Sequence, residues 1–182
     1  MLRLFTGIAV PSAVNARLDE MVQRLKPLAP IRWSPASNFH ITTKFIGAWP
    51  QERLETMKQA LASLQGSGPF SIAIRGVGFY PNAHRPRIFW AGVEGGEALA
   101  TLASRTDKAC ATLGVEAEKH AYSPHLTLAR IQNAADLAGL HTAMRKDPAA
   151  EFGEFEATGF HLYLSEPRSS GSVYTSLAEF PL

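Results

Sequence analysis

Two tetrapeptides of this 182-residue chain, His40-Ile41-Thr42-Thr43 and His125-Leu126-Thr127-Leu128, pair residue types that can carry acid–base chemistry. Histidine has an unperturbed pKa of about 6.5, so one imidazole can accept a proton while another donates one near neutrality. Threonine hydroxyls donate to nonbridging phosphate oxygens and stabilise charge developing there. On a strand, residues i and i+2 leave the same face, so each motif presents an imidazole beside a hydroxyl while Ile41 and Leu126 point the other way. Such a pair suits in-line displacement at phosphorus, where attacking and leaving oxygens lie on opposite sides of the centre. A single His-x-Thr reads as a structural histidine; two copies at matching places read as catalytic. Zinc takes three or four protein ligands, and no third His, Cys or carboxylate recurs with the pair, so neither a metal nor another cofactor is expected.

These motifs lie 85 residues apart (125 − 40), and at that offset the rest of the chain aligns as well. In the first half an apolar strand from Leu2 to Val10 precedes Pro11 and a helix with its stripe on Val14, Leu18, Met21, Val22 and Leu25. A strand over about Asn38 to Ile46, a helix opened by Pro50, the turn Gly66-Ser67-Gly68-Pro69 and a strand from Phe70 to Tyr80 follow. The second half repeats the order: a strand Arg87 to Val93, a helix ending at Gly114, a strand His125 to Ile131, a helix marked by Leu137, Leu140 and Met144, and a strand Phe155 to Leu164. Val173 to Phe180 adds a final strand. This internal repeat predicts one α+β domain over 1–182, with lobes of about 1–85 and 86–182 related by a pseudo-twofold axis. Helices should cover the outer sheet faces, strands are free to swap between lobes, and a central cleft should receive both imidazoles.

Composition narrows the setting. With 46% hydrophobic and 19% charged residues the chain can bury a full core, and no apolar run approaches the roughly 20 residues a membrane helix needs. A lone cysteine, Cys110, fits a reducing cytoplasm, and Leu4 to Val10 reads as a buried strand rather than a signal segment. Net charge +2 is too small for a protein that grips long duplexes, but it allows a small anionic substrate.

The quoted residues resemble the 2H phosphoesterase superfamily, defined by two His-x-Thr/Ser-x motifs, and within it the bacterial and archaeal RNA 2′,3′-cyclic phosphodiesterases, also called 2′-5′ RNA ligases. The resemblance extends over Arg3 to Ile8, Phe39 to Gly47, Gly76 to Pro81, Pro86 to Trp90 and Pro124 to Arg130. It implies a bilobal fold of antiparallel sheets and metal-independent hydrolysis of RNA or nucleotide 2′,3′-cyclic phosphate ends to 2′-phosphates by a monomer. His125 would be the base and His40 the acid, with Thr42, Thr127 and Arg130 on the phosphate. Strand parity places Arg130 opposite His125, so the strand must bend or end there for Arg130 to take part. Thr43 stands where the family commonly carries an apolar residue, and its side chain should face the packed side. Other substrates within the superfamily are a 2′-5′ linkage, joined or cleaved; a non-catalytic RNA-end binding module is the alternative from another class.

Lesser roles are expected elsewhere. Lys44 shares the parity of His40 and Thr42 and should point to solvent at the strand end. His84 and His120 read as loop residues, His141 and His161 as structural ones, and Cys110 as a buried inert thiol. Trp33, Trp49 and Tyr80 are candidate platforms for a base, and Trp90 belongs to the core.

Overall fold

The central strand of the first half is β1 (Leu2–Ala9), buried without a break from Leu4 to Ile8. Such a run suits a strand with a neighbour on each side and cover on both faces. After Pro11, extended at φ −61° and ψ 152°, comes α1 (Ser12–Leu25), whose expected stripe Val14, Leu18, Met21, Val22 and Leu25 is buried. The computed structural model then runs through β2 (Arg32–Trp33), β3 (His40–Trp49), α2 (Leu54–Ala62) and β4 (Phe70–Tyr80). The second half holds β5 (Ile88–Glu94), α3 (Gly96–Thr112), β6 (His125–Arg130), α4 (Ala138–Lys146), β7 (Glu151–Ala157), β8 (Gly159–Arg168) and β9 (Gly171–Pro181). The structure describes residues 1–64, 66, 68–132, 135–147, 150–169 and 171–182, so Ser67 of the expected turn lies outside the described residues.

Two antiparallel sheets result, in the orders β3-β1-β8-β9 and β2-β6-β5-β4-β7. The motif strands and their neighbours correspond across the repeat, β3 with β6 and β1 with β5, though β3 is an edge strand and β6 is flanked by β2. The halves exchange material, because β4 joins β5 and β7 in the second sheet while β8 and β9 return to β1 in the first. Helices cross over too, α1 packing on β7 and α3 on β3.

One expected strand, Phe155 to Leu164, is two. It breaks at Thr158 into β7, paired with β4, and β8, paired with β1, so the chain changes sheets there. Both pieces alternate apolar and polar residues, and alternation carries no record of the partner strand. Among the described residues no helix is long and apolar enough to cross a membrane.

Candidate active site

β3 and β6 hold the two motifs, and each imidazole is anchored in the same way. Nδ1 of His40 lies 2.7 Å from the carbonyl oxygen of Asn38, and Nδ1 of His125 lies 2.9 Å from that of Ser123. A carbonyl only accepts, so each Nδ1 donates and each Nε2 is left as the free reactive nitrogen. Thr42 Oγ1 is 3.0 Å from Nε2 of His40, where a neutral ring accepts the hydroxyl proton.

A glycine accompanies each histidine at the 85-residue offset, Gly7 on β1 and Gly92 on β5. A Cβ on Gly7 would sit 2.8 Å from Ile41 O and 3.3 Å from His40 Cδ2; one on Gly92 would run into the Arg75 carbonyl oxygen. Any side chain at Gly7 therefore displaces the strand that carries His40. Gly7→Ala is expected to cost about 1–3 kcal/mol, as overpacking does, and to slow turnover of the folded protein. Urea unfolding and steady-state rates read the two effects.

Strict alternation fails in both motif strands at the same place. β1 pairs Thr6 with Lys44 but Gly7 with Thr42, leaving Thr43 as an inserted residue; β5 pairs Phe89 with Ala129 but Trp90 with Thr127, leaving Leu128 inserted. These are β-bulges, in which two residues of one strand oppose one of its partner. Thr43 and Lys44 are buried in succession, as are Leu128 and Ala129, and the next residues, Phe45 and Arg130, turn back to the open face. The bend that Arg130 required is this bulge: Arg130 lines the same cavity as Thr127. Phe45, 47% exposed, occupies the corresponding place in the first half.

The same slip corrects the expectation for Lys44. Its side chain points neither to the cleft nor to solvent: it is buried, 2.7 Å from Asp107 and 3.1 Å from Glu118, with the Glu116 carbonyl 2.8 Å away. Burial alone would lower its pKa, but the hydrogen bonds it donates to Asp107 and Glu118, with their negative charges, outweigh burial and raise it. Thr43 faces the packed side as expected, its hydroxyl 2.7 Å from that of Thr6.

His40, Thr42, Thr127 and Arg130 line one cavity of about 220 Å³, joined by Arg3 and Tyr174 among others. His40 is packed among aromatic rings: Phe5 at 4.7 Å, Tyr174 edge-on at 5.1 Å and Tyr163 at 6.0 Å. Burial there pushes its pKa down to about 4 against the pull of the Asn38 carbonyl, and the positive charges of Arg130 and His125 push the same way. His40 is therefore neutral at pH 7 in the free protein. His125 is exposed on its strand, yet its charge is felt at His40.

Sequence reasoning missed the aromatic casing of His40 and the exposed Phe45, over which the Arg3 guanidinium lies 5.2 Å from the ring centroid. The signal for Phe45 was present in its position five residues after His40, but reading it needed the bulge. Of the expected platforms, Trp49 is buried and bonds the Arg53 carbonyl, and Trp33 packs edge-on against Phe89; neither lines the cavity. Tyr80 is exposed away from it. Cys110 is fully buried, its thiol pushed up to about 11 chiefly by burial. Among the described residues no group of three or more His, Cys, Asp or Glu is arranged to hold a metal ion.

A family model described as LigT like phosphoesterase matches residues 8–90 and 93–174, which takes in both motifs. The RNA 2′,3′-cyclic phosphodiesterase of Aeropyrum pernix is 33% identical over 151 residues, spanning 82% of this chain and 85% of that protein. Its namesake from Aquifex aeolicus is 30% identical over 189 residues, 100% of this chain and 98% of that protein. Among solved structures, TT0787 of Thermus thermophilus superposes with a TM-score of 0.84 at 30% identity, covering 100% of this chain and 98% of its own. LigT of E. coli, solved with 3′-AMP, shares the fold with a TM-score of 0.80 at 21% identity and the same coverage. With both repeats matched and the two bulged motif strands in place, this chain belongs to the LigT-like phosphoesterase family.

Proposed function

We propose that this protein is an RNA 2′,3′-cyclic phosphodiesterase that opens a terminal cyclic phosphate to a 2′-phosphate by two-histidine acid–base catalysis. The observation that carries the reading is the convergence of His40, Thr42, Thr127 and Arg130 on one small cavity, in a chain whose relatives bear that name. The chain acts as a single unit, a monomer of the cytoplasm.

In the forward direction His125 Nε2 takes a proton from water as its oxygen attacks phosphorus opposite O3′. The P–O3′ bond breaks, O3′ receives the proton of His40, and the phosphate stays on O2′. Thr42, Thr127 and Arg130 hold the nonbridging oxygens. With an RNA 5′-hydroxyl in place of water, the same forward step would join ends through a 2′-5′ linkage, and its reverse would cleave that linkage back to the cyclic phosphate and the 5′-hydroxyl. Phe45 and the rim aromatics offer a face for the terminal base, with stacking that tolerates any base.

His40 must be charged to act as the acid, yet the free protein keeps it neutral. A bound phosphodiester supplies the missing counter-charge, so anion binding and proton uptake go together. Sulfate, whose charge is constant above pH 4, is the suitable probe. Its affinity is expected to rise about tenfold between pH 8 and pH 5, the sign set by a pKa that is about 4 when free and higher when an anion is bound. His40→Asn should flatten this dependence in calorimetric titration; a wild-type affinity independent of pH would remove this role for His40.

The direct test is incubation with a 2′,3′-cyclic nucleotide in EDTA. Conversion to the 2′-phosphate is the expected result. An unchanged substrate at high protein concentration would favour a phosphate-holding module without chemistry, and activity lost on chelation would bring in a metal. A parallel 2′-5′ dinucleotide separates the neighbouring specificity.

A further inference from the structure

Beside the catalytic cavity lies a larger one of about 670 Å³, bordered by His84, Arg85, Arg87, Ile131 and His141. Among the described residues neither Arg85 nor Arg87 takes part in an ion pair, and no acidic side chain lines the cavity. The carboxylate closest in sequence, Asp136, accepts from the Ala138 N–H at 3.0 Å at the start of α4. Unneutralised guanidinium pairs in a concave, partly apolar site favour an anion over water.

The framework under these groups is held. Asn82 Oδ1 accepts from the backbone N–H groups of His84 and Arg85, both at 3.0 Å, and the His141 ring lies 4.8 Å from Phe79. Arg87 is fixed on both sides, its N–H donating to the Tyr80 carbonyl at 2.8 Å and its carbonyl accepting from Ile131 N–H at 2.8 Å. Arg130 lines the catalytic cavity and the next residue in the chain, Ile131, lines this one, so both cavities reach the same end of β6. Arg85 and Arg87 thus stand at the end of β6 toward which a ligand leaving the catalytic cavity past Arg130 would run.

We propose that the Arg85–Arg87 cavity binds internal phosphates of an RNA strand whose 3′ end occupies the catalytic cavity, so that the protein prefers oligonucleotide ends to cyclic mononucleotides. The proposal rests on the phosphodiesterase reading for its catalytic arm. A repeating polyanion is the ligand that needs cations in two adjacent cavities, and a sugar–phosphate backbone meets them without regard to base.

The experiment compares wild type with the Arg85→Ala/Arg87→Ala double variant on a cyclic mononucleotide and on a pentanucleotide ending in a 2′,3′-cyclic phosphate. In the double variant KM for the pentanucleotide should rise about tenfold or more with kcat unchanged, and the cyclic mononucleotide should be turned over at the wild-type rate. A second arm reads binding alone, by fluorescence anisotropy of a pentanucleotide carrying a terminal 2′-phosphate. There the slope of log affinity against log salt should fall by about 1.4, as it does when two phosphates of a single strand are no longer neutralised. Equal losses on both substrates, or an unchanged salt slope and pentanucleotide KM, would overturn the proposal. Failure of the phosphodiesterase reading would look different: no turnover of either substrate by wild type, with the salt slope still separating it from the variant.

Discussion

Replacing either His40 or His125 by Asn is expected to lower kcat by about 10²–10⁴-fold, the usual worth of one positioned acid or base. The two substitutions together should do little more than the worse of them, because the roles belong to one proton-transfer sequence. Folding should survive. The side-chain hydrogen bonds of the two histidines are limited to a carbonyl at each Nδ1 and the Thr42 hydroxyl at His40, and although His40→Asn also gives up ring contacts with Phe5 and Tyr174, Asn leaves the strand pairing intact. His40→Asn also removes an imidazole whose charged form is disfavoured in the fold. Since the folded pKa of about 4 lies below the unfolded 6.5, wild-type stability rises with pH across that interval, and the variant should lose that part of the pH dependence. Single-turnover rates and thermal unfolding at pH 5 and pH 8 check both halves. Near-normal rates in both single variants would end the two-histidine mechanism.

The second large effect is expected far from substrate, at the cluster behind β3. Asp107→Ala leaves the Lys44 ammonium, only 2% exposed, with a half-exposed carboxylate and one carbonyl as partners. Breaking a buried pair from one side typically costs about 3–5 kcal/mol; Glu118 and the Glu116 carbonyl remain, so about 2–4 kcal/mol is expected here. Glu118→Ala should cost under about 1 kcal/mol, because that carboxylate already sits 55% in water. The pH dependence has a definite sign. Burial works to raise the Asp107 pKa, but the hydrogen bond to Lys44, the Glu118 N–H and the Lys44 charge together lower it. Its stabilisation is therefore present above the unfolded value of 3.8 and lost as pH falls through the lower folded value. Lys44, raised above 10.5, contributes fully below that value and loses its contribution as pH rises past the folded pKa. Equal destabilisation by Asp107→Ala and Glu118→Ala in urea titrations would contradict this ranking.

Lys44 also shows where reading by alternation stops working. Counting in twos from His40 assigns it to the cleft face, and the same count assigns Arg130 to the far face. Both assignments are reversed by one inserted residue, Thr43 in β3 and Leu128 in β6. A bulge is a property of a pair of strands, since it exists only where two residues of one oppose one of the other. No run of β3 or β6 taken alone distinguishes it from regular pleating.

The motif pair, the repeat, the α+β class and the buried helix stripes were legible in the residues themselves, because they depend on local periodicity and on comparing the chain with itself. Tertiary structure alone decided that β4 and β8 would change places between sheets, that Thr158 would divide a strand, and that Phe5, Tyr163 and Tyr174 would enclose His40 and keep it neutral. Those outcomes rest on which distant segments pair and pack, and the energies that choose partners are summed over contacts that no single stretch of sequence contains.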